Sequence, residues 1–363
     1  MCACRTILAQ KPTGLLPSAK ICVICGKKNE YEIRKKLKKH FISLLLLLLF
    51  IDCTAQIIIN KPIDVSIGDT QFNPDFILQN KIKNISVVIS DKPDGSIIIN
   101  KGTSQGYEFN AQGYITSYFY TVLNKQKTEE VERSEVKKQE KIIQKETTQT
   151  LTQYVNDTVF VNVFYDLKNH IIAKRIRIGD FFHTYYYEYN EQEQIRKEMH
   201  FKETNVSENK NKFKLGTQKV VSSEMFEYIQ LTSTQIKKQF LNDHLNVYKK
   251  AIINYDDKKN KLSENSEFIV SCMRQENNYE YDNNNRLLKQ IYVSTENGEI
   301  KIESVFEYDK NGNLVSEKKF KNDALTLEIH YIYDDKNILI KSEVDRDYIN
   351  TIVLIKKYEY TFY

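Results

Sequence analysis

The stretch EYDKNGNL, residues 307–314, decides how this chain folds. Tyr308 precedes Asp309, Gly312 follows three residues later, and Leu314 comes two after the glycine. An Asp side chain accepts hydrogen bonds from backbone N–H groups just downstream and so starts a turn. Glycine supplies the left-handed residue that closes a type I turn with a bulge. The segment is a lone hairpin turn, a metal loop, or one copy of a repeat. The metal reading fails on counting. From Asp309 a calcium loop needs Gly at its sixth position and Glu at its twelfth, and those places hold Leu314 and Phe320.

The repeat reading fits the rest of the chain. Aligned on the aromatic before the Asp, copies begin at Tyr107 (YEFNAQGYI), Val163 (VFYDLKNHI), Tyr187 (YEYNEQEQI), Ile253 (INYDDKKNKL), Tyr279 (YEYDNNNRL) and Tyr331 (YIYDDKNIL). FEYIQLTS at Phe226 is a degenerate copy, and YEYTFY at Tyr358 is a terminal half-copy. The anchor aromatics are Phe109, Tyr165, Tyr189, Tyr228, Tyr255, Tyr281, Tyr308, Tyr333 and Tyr360. From Tyr228 onward they are spaced by 27, 26, 27, 25 and 27 residues, and regular spacing of this kind marks a stacked architecture.

Each copy spells strand, turn, strand. Aromatic-x-aromatic puts two rings on one strand face. Asp166, Asp282, Asp309 and Asp334 then start the turn, and Gly113, Gly312 or Asn at 169, 285 and 337 takes φ > 0. Ile or Leu at 115, 171, 195, 287, 314 and 339 begins the return strand. The copy at Tyr255 reads as slipped by one residue, with Asn260 and Leu262 in these roles. The expected fold is all-β: about eight hairpin units in one extended or curled antiparallel sheet.

FEYDKNGNL and YEYDNNNRL resemble the YD repeat of the RHS family, whose unit centres on Tyr-Asp-x-x-Gly-Arg-Leu. The resemblance covers seven short cores between residues 107 and 339. The chain departs from it in three ways: the Arg appears only as Arg286, the Gly appears twice, and the spacing is longer. The resemblance implies a long twisted sheet of stacked hairpins. It does not imply the family's toxin-enclosing role, because no self-cleaving core or C-terminal toxin is recognisable.

Outside the repeats, residues 34–39 (RKKLKK), the apolar run 41–51 (FISLLLLLLFI) and the exit DCTAQ have the proportions of a secretory signal peptide. The run is too short for a membrane span. Cys53-Thr54-Ala55 suits cleavage before Gln56, while Cys53 is the alternative lipid-anchor residue. About 33 residues precede the basic run and read as an over-extended start. Residues 1–55 hold 10 basic and 3 acidic residues, leaving 43 against 45, so the formal net charge of +5 belongs to the leader. A nucleic-acid partner is not expected. Of six cysteines only Cys272 lies beyond the leader, which excludes an intrachain disulfide in the mature part.

The expected organisation is a leader over 1–55, an N-terminal β region with the first repeat over 56–126, a charged insertion or linker over 127–152, and a hairpin-repeat domain over 153–363. The insertion reads as a solvated helix or loop, 204–218 as a shorter insertion, and 232–250 as a helix.

No H-E-x-x-H, G-x-S-x-G, Walker loop or G-x-G-x-x-G occurs, so no catalytic, metal or cofactor residue is assigned. In FFHTYYYEY (181–189), Tyr185, Tyr187 and Tyr189 share the anchor face and read as core, whereas Tyr186 and His183 fall outside or at its edge and are the candidate binding surface. An outer-membrane barrel needs a clean lipid-facing alternation, and IKKYEYTFY at the C-terminus has none. The functional expectation is an exported, non-catalytic envelope or extracellular protein that binds, or builds a structure with, a protein or glycan. Membrane contact is expected only through the signal segment or a lipid at Cys53. The rivals are an enzyme with a site made by the insertions and a carrier with a dry apolar groove.

Overall fold

The computed structural model describes residues 56–68, 70–132, 148–208, 213–296 and 298–363. The leader expected over 1–55 lies outside them. The described residues form one short helix, α1 (Pro74–Gln79), and eighteen strands. The first nine are β1 (Ile82–Pro93), β2 (Ile99–Phe109), β3 (Ile115–Glu132), β4 (Thr148–Tyr165), β5 (Ile171–Ile178), β6 (Phe181–Tyr189), β7 (Ile195–Asn205), β8 (Leu215–Thr232) and β9 (Gln235–Leu241). The rest are β10 (Val247–Tyr255), β11 (Lys261–Phe268), β12 (Arg274–Tyr281), β13 (Leu287–Ser294), β14 (Ile300–Tyr308), β15 (Leu314–Lys321), β16 (Ala324–Tyr333), β17 (Ile340–Asp347) and β18 (Ile352–Phe362).

Every strand pairs antiparallel with the next, and β18 pairs with β1 from Ile82↔Phe362 to Pro93↔Ile352. The sheet is therefore a closed barrel, which corrects the expectation of an open or curled one. The hairpins β2–β3 through β16–β17 make eight units, and the half-copy on β18 finds its missing strand in β1. Closure removes two edges of unpaired N–H and C=O groups. No local signal announces it, because the closing strands are separated by most of the chain.

The repeat turns all lie at one rim. After β14, Asp309 Oδ1 accepts from the N–H groups of Asn311 and Asn313 at 2.8 Å each. The Gly312 N–H donates to the Asp309 carbonyl at 3.0 Å, and Gly312 has φ +90°. The same geometry recurs at Asn110, Asp166, Asn190, Asp256 and Asp282. At the Tyr255 copy Lys259, not Asn260, takes φ +69°, and Tyr255 pairs with Lys261. That copy has the ordinary length. The extra residue sits in the Tyr333 copy, where Tyr333 pairs with Ile340 and Ile340, rather than Leu339, is fully buried.

The anchor rings face the lumen, and their hydroxyls join neighbouring units. Tyr165, Tyr189, Tyr281, Tyr308, Tyr333 and Tyr360 donate to the carbonyls of Ile115, Ile171, Lys261, Leu287, Leu314 and Ile340, all at 2.8–2.9 Å. Each acceptor is the first residue of a return strand one unit back. Phe109, in the first unit, carries no hydroxyl; its carbonyl accepts instead from the Tyr363 hydroxyl.

Residues 56–79 fold into the barrel. Ile57, Phe72, Phe76 and Ile77 are buried with Ile85, Tyr107, Leu287, Leu314 and Ile340, while Val65 packs on a second cluster around Tyr187 and Phe226. Asn73 caps α1 by accepting from the N–H groups of Asp75 and Phe76. A Cβ at Gly113 (φ +85°) would lie 2.1 Å from the Pro74 carbonyl oxygen, so the first repeat turn closes directly on this helix. Apolar burial here rests on the chain's own N-terminal segment filling the wide barrel.

One expectation does not hold: residues 232–250, expected as a helix, form all of β9 and the start of β10 around an Asx-type turn at Asn242. At the charged insertion expected over 127–152, β3 and β4 stay paired out to Glu132↔Thr148, and residues 133–147 lie outside the described ones.

Candidate binding groove on the outer wall

The structure separates the two residues expected to form a binding surface. His183 faces the lumen, where its Nδ1 lies 2.9 Å from His200 Nε2 and Tyr185 stacks on His200 at 4.2 Å. Tyr186 points outward and donates its hydroxyl to Glu203 at 3.0 Å. The other singled-out positions build the frame: Tyr107 and Phe109 pack on Phe72, and the turn residues Asp166, Asp282, Asp309 and Asp334 accept backbone N–H groups. Among the described residues no three His, Cys, Asp or Glu side chains gather as a metal site.

The lumen carries charge as well as rings, which explains how a helix-like pattern of Lys and aromatics became strand. Lys238 lies over Phe226 at 4.3 Å and Phe240 at 4.9 Å, and burial pulls its pKa down. Lys261 is buried too, which alone would lower its pKa, but Glu264 and Asp64 hold it above its ordinary value. On the β17–β18 wall Lys356 contacts Glu343 at 2.6 Å and Asp345 at 2.8 Å. Burial, reinforced by the Glu343 charge, pushes Asp345 up to about 7 despite Lys356.

Over β10–β18 the outer wall is mixed: Lys289, Glu303, Lys301, Lys318 and Glu328 make surface ion pairs, while Ile291, Val293, Val305 and Phe320 share the same outward rows. A lipid-facing belt would be apolar there. Over β2–β7 the wall changes character. One register row runs Gly106↔Phe119↔Phe160↔Arg177↔Phe182, each residue directly opposite the next. With strands about 4.8 Å apart, Phe119 to Phe182 spans roughly 14 Å. The adjacent outward row carries Glu108, Ser117 and Asn162.

Rings and polar groups together line a groove of about 470 Å³, closed on one side by Asn205 and Phe213. Gly106 is required there: a Cβ would lie 2.3 Å from the Phe119 ring, which lies against its backbone. Phe119 and Phe160 are 6.0 Å apart, and Phe213 meets Phe182 edge-on at 4.9 Å. Beneath Phe213, the Arg175 guanidinium sits 3.7 Å from the ring centre and reaches Glu203 at 3.2 Å. Glu203 is fully buried and also takes the hydroxyls of Thr184 (2.6 Å) and Tyr186 and the amide of Gln218 (2.9 Å). This network fixes the groove wall. Phe160 remains 44% exposed. The sequence hid the groove because its residues come from seven strands, β1 to β7, and the segment before β8, and meet only through register.

No family model matches the chain, and no curated protein matches it. Among solved structures it is similar to a porin-like protein from Bacteroides uniformis, at 9% identity over 77% of this chain and 98% of that one, with TM-score 0.34. It is also similar to a porin-like protein from Bacteroides vulgatus, at 11% identity over 60% and 95%, with TM-score 0.24. A third likeness is to TcdB2-TccC3, at 12% identity over 70% of this chain and 15% of that one, with TM-score 0.19. None of the three is close enough in structure to lend this chain a role.

Proposed function

We propose that this chain is an exported, non-catalytic β-barrel that holds a partner along the groove on its outer wall. The observation that carries this is the Phe119–Phe160–Arg177–Phe182 row: three rings and a guanidinium in register on the outer wall, with Phe160 44% exposed between half-buried Phe119 and Phe182. Export follows from the basic and apolar leader pattern. The enzyme reading called for a deep pocket of acids or His from the insertions; this groove holds rings, amides, one carboxylate and one guanidinium. The carrier reading called for a dry apolar groove; the apolar interior of this barrel is occupied by the chain's own Ile57, Phe72, Phe76 and Ile77.

The test is photo-cross-linking in cells that export the protein. A benzophenone amino acid at position 160 captures the partner, and the same probe at Glu280, on the opposite outer wall, does not. Equal capture at both positions, or none at 160, overturns the groove as the site.

A further inference from the structure

Resting on the groove reading, we infer that the partner is an acidic glycan, a chain of sugar rings bearing carboxylates. The groove is divided lengthwise by chemistry. On one row lie the rings of Phe119, Phe160 and Phe182, apolar and electron-rich at their faces, with Phe160 44% exposed. A pyranose has one face of C–H bonds that lies on such a plate, and its hydroxyls point sideways. Beside that row, Asn162 offers a donor and an acceptor suited to those hydroxyls, and Ser117, whose own O–H goes to Glu108, offers an acceptor. A peptide would instead seek an open sheet edge or a deep apolar pocket, and this closed barrel wall has neither at the groove.

The charge selects the glycan class. Arg177 stands between Phe160 and Phe182 in the same row, opposite each of them. The one contact its guanidinium makes among those resolved for the described residues is a long one, 3.5 Å from Nε to the Gly179 carbonyl. Its neighbour Arg175 is spent on Glu203, a fully buried carboxylate. The groove carboxylate, Glu108, belongs to β2, three strands from Arg177, and accepts the Ser117 hydroxyl at 2.7 Å. Glu203 is nearer, two strands from Arg177 across Phe182 in the same row, but its charge is matched by Arg175 at 3.2 Å. Guanidinium binds a carboxylate with two parallel hydrogen bonds, which fixes the sugar between the two rings.

The experiment is calorimetric titration of residues 56–363 with oligogalacturonate and with the same oligomer fully methyl-esterified, which keeps the rings and removes the charge. The expected result is binding of the acidic oligomer at least tenfold tighter than the ester. Arg177→Gln removes that tenfold preference and leaves the ester unchanged, Arg177→Lys restores part of it, and Phe160→Ala weakens both ligands. Equal affinity for acid and ester, or an Arg177→Gln variant that keeps the preference, overturns the acidic class. If neither oligomer binds while the cross-link at 160 persists, the glycan assignment falls and the groove stands. If both fail, both fall.

Discussion

The hydroxyl of Tyr308 donates to the carbonyl of Leu287 at 2.8 Å, tying one hairpin to the one before it. Six anchor tyrosines make this bond, which turns a row of hairpins into a continuous wall. The ring supplies core volume, and the hydroxyl satisfies a carbonyl where the ladder ends at the bulge of the turn. Burial pushes the Tyr308 phenol up to about 12, so it stays a donor at any physiological pH.

Removing that hydroxyl should therefore cost stability without disturbing packing. Tyr308→Phe is expected to lose about 1 kcal/mol, the usual net value of one buried hydrogen bond. Phe109→Tyr should gain nothing, since the Phe109 ring is buried edge-on against Phe72. Urea unfolding of the two variants decides it; a gain at 109 or no loss at 308 would contradict the stitching role.

The repeat-turn glycines differ in what surrounds them. At Gly312 a Cβ meets only Arg286, at 3.5 Å, so the penalty of Gly312→Val is the strained φ of a β-branched residue, on the order of 1–3 kcal/mol. At Gly113 a Cβ would strike the Pro74 carbonyl. Gly113→Ala should be worse than Gly312→Ala, and thermal melts should rank them so.

Asp345 should make stability fall as pH rises. Its native pKa, about 7, lies above the ordinary aspartate value of 3.8, so between those limits the folded state binds more protons than the unfolded one. Its contribution is present below about pH 4 and is lost as pH climbs through 7. Asp345→Asn removes a carboxylate crowded by Glu343 while leaving Lys356 paired with Glu343 at 2.6 Å. The variant should be more stable than the native chain at pH 8 and show a flatter profile from pH 5 to 8. A steeper profile would assign the titration elsewhere.

Glu203 should behave as a buried keystone of the groove wall. Glu203→Ala leaves Arg175 without its carboxylate and is expected to cost roughly 3–5 kcal/mol. Glu203→Gln keeps hydrogen bonding and should cost less. Denaturant unfolding with both variants separates charge from shape.

Much of the fold is written locally. Asp or Asn at the turn start, and a left-handed residue three positions on, follow from side-chain reach and φ preference, so Asp309 and Gly312 specify their turn with little help from the rest of the chain. Where local signals were weak, the reading slipped. Lys259 gives no sequence hint of its positive φ, and the extra residue in the Tyr333 copy was assigned to Tyr255. Residues 232–250 read as a helix because lumenal Lys238 and Lys249 break the expected alternation; the rings and carboxylates that make them tolerable come from other strands.

By itself, then, the sequence determined the hairpin, its turn chemistry and the number of units, because those depend on residues a few positions apart. Closure by β1 on β18, the entry of residues 56–79 into the lumen, and the outer row of Phe119, Phe160, Arg177 and Phe182 were decided only in three dimensions. Each depends on strand register and on burial across the barrel, and a one-residue slip would turn every such side chain to the opposite face.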